Sequence, residues 1–129
     1  MSTTNPPAKS TNIAAWAIQI LLAVAFFAAA GAKLAGAPML VAIFQTIGLG
    51  QWFRYVTAVV EISGAIALLV PGFAVAGGVW LGTTMVFAVI THLLILHTNP
   101  APAVVLAVLS FTVAWLRSGQ IGPLLAKFG

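Results

Sequence analysis

Four apolar runs, Ile13 to Ala32, Tyr55 to Val70, Phe73 to Leu96 and Ala103 to Leu116, take up most of this chain, and short polar or Pro/Gly-rich breaks separate them. A helix needs about 20 mainly apolar residues to cross a bilayer. Inside hydrocarbon every backbone N–H and C=O has to be paired within the protein, which leaves the helix as the form such runs take. Composition closes the alternative of a soluble core, because 62% of the residues are hydrophobic and only 5% charged, with a mean hydropathy of +1.15. The reading is an all-α, up-down, four-helix transmembrane bundle. Its spans fall at about 13–33, 53–70, 73–96 and 102–116, inside one membrane domain over 12–117.

The breaks carry their own signals. Residues 1–11 are polar, hold two prolines and lack apolar periodicity, so they read as a disordered tail, and 118–129 reads as a short C-terminal tail. The first run also admits cleavage as a signal peptide at Ala28-Ala29-Ala30 or Ala30-Gly31-Ala32, although it is longer than an ordinary apolar signal region. Between Pro38 and Gly50, Met39, Leu40, Ile43, Phe44 and Ile47 recur at helical spacing over a stretch too short to span, which predicts an interfacial or re-entrant helix. Trp52, Phe53, Arg54 and Tyr55 form an aromatic and cationic collar at the start of the second span, and Pro71-Gly72 ends it.

Charge sets orientation and excludes some functions. The net charge of +4 comes from Lys9, Lys33, Arg54, Arg117 and Lys127, which flank the apolar runs and form no cluster suited to nucleic acid. Four spans place both termini on one side with Lys9, Arg117 and Lys127, against Lys33 and Arg54 opposite, so the positive-inside rule predicts cytoplasmic termini in a bacterial-type plasma (inner) membrane. Cysteine is absent, which removes thiol redox relays and Cys-ligated metal or iron–sulfur sites. His92 and His97 lie about 140° apart around a helix, so they do not serve one haem or metal, and neither is expected.

Glu61 is the sole acidic side chain, and it sits inside the second apolar run. A carboxylate near mid-bilayer costs at least ~2.5 kcal/mol and calls for a partner, a proton or a function. Helical side chains lean toward their own N-terminus, so Lys33 at the far end of span one leans back into the membrane while Glu61 leans up toward it. Counted from Phe53, Glu61 is about 12 Å deep, a gap that a lysine reaching back about 6 Å largely closes. Arg54 shares the face of Glu61 but leans toward water, which ranks it below Lys33 as a partner. His92 also leans inward, and Gln19, on the stripe of Phe26 and Lys33, faces the same interior lower down. The candidate ligand-binding cluster is therefore Lys33, Glu61, His92, Gln19 and Arg54.

Plainer readings stand beside it. A buried Lys–Glu pair also fixes helix register without any ligand, and a lone histidine is more often a hydrogen-bonded interior residue. Ala58, Gly64 and Ala65 around Glu61 leave room for a ligand or simply allow close helix contact. Gly78 and Gly82, at small-xxx-small spacing, are helix-packing residues first and a homodimer contact second. A single carboxylate excludes a two-carboxylate acid–base pair, and Ser63 lies on another face from Glu61, so no nucleophilic triad is legible.

Gly31-Ala32-Lys33, Glu61-Ile-Ser-Gly-Ala-Ile-Ala-Leu-Leu-Val-Pro71, Thr91-His92-Leu93 and Asn99-Pro-Ala-Pro-Ala-Val-Val-Leu106, in that order, resemble the DoxX-like family of integral membrane proteins over Asn12 to Arg117. The resemblance implies a four-helix membrane bundle without implying one activity. One namesake branch is a subunit of a thiosulfate:quinone oxidoreductase, and other members are associated with membrane redox complexes. Three functions follow as expectations. The first is a quinone- or lipid-like ligand-binding subunit that partners the bilayer, a hydrophobic small molecule and redox subunits or its own copies, and is not catalytic on its own. The second is an assembly or scaffold subunit that uses the Gly78 and Gly82 face, and the third is a proton-coupled carrier of a small solute.

Overall fold

A computed structural model describes residues 8–129, and they are all-α, with no strand among the described residues. Six helices follow in order: α1 (Lys9–Ala35), α2 (Pro38–Ile47), α3 (Trp52–Leu69), α4 (Ala74–Thr91), α5 (Ala101–Leu116) and α6 (Ile121–Phe128). A π-helical turn, His92–Leu96, extends α4, and a 3₁₀ turn, Ser118–Gln120, joins α5 to α6.

Lys9–Ala35, Trp52–Leu69 and Ala74–Leu96 are long and apolar enough to cross a membrane. A fourth candidate crossing combines α5 with Ser118–Phe128 across a 56° bend. The tail expected over 1–11 is shortened, since helix begins at Lys9, while residues 1–7 lie outside the described residues. The C-terminal tail expected over 118–129 is likewise corrected to helix. Its Ile121, Leu125 and Phe128 remain exposed on one side of α6 and repeat at helical spacing, a signal the sequence carried but that is too short to read as an element by itself.

Direction follows from who touches whom. Lys33, near the end of α1, meets Glu61 in α3, while Gln19, earlier in α1, meets Leu68 near the end of α3. Trp80 of α4 donates to the Val60 carbonyl at 3.0 Å, and Gly78 and Gly82 lie against Ser110, Ala114 and Phe111 of α5. Arg117 brings the end of α5 back to the start of α1 through Gln19 and Asn12.

The centre is built from small and medium apolar residues. Leu22, Phe26, Leu68, Leu81 and Val113 are fully buried among Ala23, Ala65 and Ala107. Lipid tails are as apolar as leucine, so close packing holds such helices together, and small residues permit it. A Cβ on Gly64 would sit 2.5 Å from the Leu81 side chain, and one on Gly78 would sit 2.6 Å from the Ser110 carbonyl oxygen. Gly64 therefore serves helix contact, and of the two readings the sequence left open the structure favours that one. Gly78 and Gly82 are likewise used within the chain, against α5, which removes them as a surface for a homodimer or a partner helix.

The outside is apolar too. Leu21, Phe87 and Leu94 are 62%, 65% and 71% exposed, as lipid contact demands. Hydroxyls on this surface fold back onto their own helices: Ser63 donates to Val60 O, Thr84 to Trp80 O, Thr91 to Phe87 O and Thr112 to Val108 O, all at 2.7–2.8 Å.

Candidate functional site

The site lies where α1 ends and α2 turns back. Gly36 stops α1 in the left-handed conformation at φ 73°, which a residue without Cβ adopts freely, and its N–H returns to the Ala32 and Lys33 carbonyls. Pro38 then opens α2 as its first helical residue, where a missing N–H costs nothing. The connection is short enough to keep α2 over the mouth of the bundle.

Lys33 Nζ donates to Glu61 Oε1 at 2.7 Å, with the lysine side chain 14% and the glutamate side chain 4% exposed. This is the sole ion pair among the described residues. Arg54 takes no part in it and does not lean into water as expected. Its side chain is buried, with Nη1 bonded to the Lys33 carbonyl oxygen, Nε donating to Gln51 Oε1 at 2.9 Å and Nη2 to the Tyr55 hydroxyl at 3.2 Å. Gln51 in turn donates to the Val41 carbonyl of α2 at 3.0 Å. Arg54 thus bonds one of the last carbonyls of α1 and, through Gln51, ties α2 to α3. The returning chain of Gly36 to Gly50 covers the place where water was expected.

A cavity of about 380 Å³ adjoins the ion pair. Leu40, Ile43, Phe44 and Ile47 of α2 form one wall, Phe53 to Glu61 of α3 and Thr84 to Thr91 of α4 form the others, and His92 and Leu96 reach it from the π turn. His92 lines this cavity together with Lys33 and Glu61 but bonds to neither. Its Nδ1 lies 2.6 Å from Thr98 Oγ1, and the His92 carbonyl accepts from Thr98 N at 3.0 Å. The widened turn and the left-handed His97 at φ 52° account for this: they bring Thr98 back onto His92, which a continuous α-helix would not do.

Gln19 stands apart from the cavity. Its Nε2 donates to the Leu68 carbonyl at 2.6 Å, and its Oε1 accepts from Arg117 Nε at 2.8 Å, at the opposite end of the bundle. Its depth was read correctly and its company was not, because Arg117 is 98 residues away and only the return of α5 beside α1 joins them. Arg117, Asn12, Gln51 and Thr98 are among the polar residues that sequence reasoning did not assign to any site.

Among the described residues no group of three or more His, Cys, Asp or Glu side chains is placed to hold a metal ion. The cavity instead offers one cation, one carboxylate and one imidazole against apolar walls. The hydroxyls of Thr57 and Thr91 already donate to Arg54 O and Phe87 O, so toward the cavity they present acceptor lone pairs only.

No curated protein and no solved structure matches the chain. A family model does match, over residues 17–115, that of the DoxX-like family.

Proposed function

Since this chain belongs to the DoxX-like family of multi-pass membrane proteins, we propose that it is a small-molecule-binding subunit whose cavity takes the polar head of a quinone or lipid-like amphiphile. The observation that carries the reading is the Lys33–Glu61 pair at the edge of a cavity whose other walls are almost wholly apolar. Lys33 keeps protons to donate to an oxygen of the head and Glu61 accepts from a hydroxyl, while the second ring nitrogen of His92 donates or accepts with its tautomer, so the set suits the hydroxyls of a quinol and, through Lys33 and His92, the carbonyls of a quinone. At 380 Å³ the cavity is at the small end of ligand sites, roughly 300–1,000 Å³, so it holds a ring and a short stretch of tail, and the rest of the tail runs into the bilayer.

In this reading α1, α3, α4 and the bent α5–α6 pair cross an inner membrane as an up-down four-helix bundle with cytoplasmic termini, and α2 lies at the far interface over the cavity. The bound amphiphile links the protein to membrane redox partners. The chain holds and orients the ligand, without catalysis of its own.

Photoaffinity labelling with a quinone analogue in native membranes tests it. Labelling should map to peptides from α2, α3 and the π turn, fall with competing quinone, and drop at least about tenfold in the Lys33→Met/Glu61→Gln double variant, which removes both charges together and whose folding is checked by its unfolding transition. Labelling that ignores both the competitor and the double variant would remove the reading.

A further inference from the structure

Arg117 lies at the other end of the bundle from the cavity, and its charge is left unanswered. The side chain is only 7% exposed. Nε donates to Gln19 Oε1 and Nη1 to Asn12 Oδ1, both at 2.8 Å, and the Trp16 ring lies 5.6 Å from Cζ. All of these partners are neutral. Nη2 is buried and meets no hydrogen-bond partner among the described residues.

Among the described residues no carboxylate, the C-terminal one included, lies within 4 Å of the Arg117 guanidinium. The chain's one acidic side chain, Glu61, is bound to Lys33 at the opposite end. An enclosed guanidinium without an anion keeps its desolvation cost, and an orphaned buried N–H adds to it. A counter-charge from outside the chain would answer both costs.

The surroundings say what kind of anion. Trp115, two residues before, is 74% exposed, Trp16 is half-buried, and the Lys127 ammonium lies 4.9 Å over the Phe73 ring. Indole rings and basic residues gathered at one level mark the headgroup region of a bilayer, where phosphate is the abundant anion. The planar guanidinium matches phosphate oxygens as a fork. The start of α1 at Lys9, one turn before Asn12, places the positive end of a helix dipole at the same level.

We propose that Arg117 is the centre of an anion site that accepts a phosphate group at the membrane surface. Nη2 is the free donor, Nη1 exchanges its neutral Asn12 partner for a phosphate oxygen, and the half-buried Trp16 ring turns aside to admit it. The group arrives on a phospholipid or as the free ion.

The experiment is a thermal unfolding titration of the full chain in maltoside detergent, which carries no phosphate. Four additives are compared: phosphatidylglycerol, phosphatidylcholine, diacylglycerol and inorganic phosphate. At saturation a phospholipid should raise Tm by at least about 3 °C, and diacylglycerol should not. A rise with inorganic phosphate as well identifies the free ion as an occupant, and a rise with phospholipids alone identifies the headgroup. Arg117→Gln should abolish the response, whereas Lys127→Gln and Lys9→Gln should retain it. Should Arg117→Gln fail to fold, Arg117→Lys keeps the charge but loses the fork, and should weaken the half-saturating concentration at least about tenfold. Equal responses in Arg117→Lys and the native chain, a response to diacylglycerol as large as to phospholipid, or no response to any phosphate source would each overturn the site.

Discussion

At the α2 end of the bundle a lysine meets a carboxylate at 2.7 Å beside a cavity of about 380 Å³; at the α6 end an arginine meets two amide oxygens at 2.8 Å and leaves one nitrogen unanswered. Both cations are largely enclosed, and both come from residues that flank apolar runs in the sequence. The difference lies in where the neutralising charge is found. Lys33 has it within the chain, so that end is electrically complete and open space is left for an uncharged head. Arg117 does not, so that end is incomplete and its tightly held amides serve as substitutes. A buried cation is thus compatible with a ligand site in two ways, as part of a finished pair bordering space or as an unfinished contact awaiting an anion.

The largest expected effect separates the two ends by removing the pair. Glu61→Leu, with Lys33 left in place, should destabilise the protein by about 3–5 kcal/mol in a reversible unfolding assay in detergent, because it strands a buried ammonium. Adding Lys33→Met should recover most of that loss. If single and double variants unfold alike, the pair contributes nothing particular and the contrast between the ends collapses.

Next comes Gly78→Ala. Its new Cβ would lie 2.6 Å from Ser110 O and 2.9 Å from Ala114 N, both backbone atoms of α5, so the helix that carries Arg117 has to move. A loss of about 1–3 kcal/mol is expected, together with a weaker response to phospholipid and unchanged quinone labelling. Parallel changes at both ends would show that the two are mechanically one.

A smaller effect is expected from Gln19→Leu, which removes the acceptor for Arg117 Nε and the donor to Leu68 O. The cost should be about 1–3 kcal/mol in the same assay, and it should shrink when phosphatidylglycerol is present, since phosphate on Nη1 and Nη2 then offsets the charge of a guanidinium that has lost its Nε acceptor. A cost that phospholipid does not alter would argue that Arg117 needs no outside anion.

The smallest is Gly31→Ala. Nothing lies within 4 Å of the added Cβ on this exposed face of α1, so the change should raise stability by up to about 1 kcal/mol and leave both ends unaltered. A clear loss there would point to a neighbour that the isolated chain does not contain.

How much of this was legible depends on the range of the interaction. The apolar runs located the long helices to within a few residues, because length and hydropathy are local properties. Lys33 and Glu61 were placed toward each other by a directional argument across one connection, and they lie 2.7 Å apart. Arg54 failed by the same argument, since lean alone does not reveal that α2 folds back over the α1 terminus. His92 was drawn away by Thr98 through a π turn that leaves no mark in hydropathy. Arg117 was read as a topology flank because its partners, Gln19 and Asn12, lie 98 and 105 residues away. Closure of α1 against α5 is a property of the whole fold, and no window of sequence contains it.

The hydroxyls of Ser63, Thr84, Thr91 and Thr112 that bend back onto their own carbonyls carry a consequence for how this protein meets others. Hydroxyls whose donors are already consumed offer a neighbour in the hydrocarbon acceptor lone pairs only. Recognition there accordingly draws more on contour than on new hydrogen bonds.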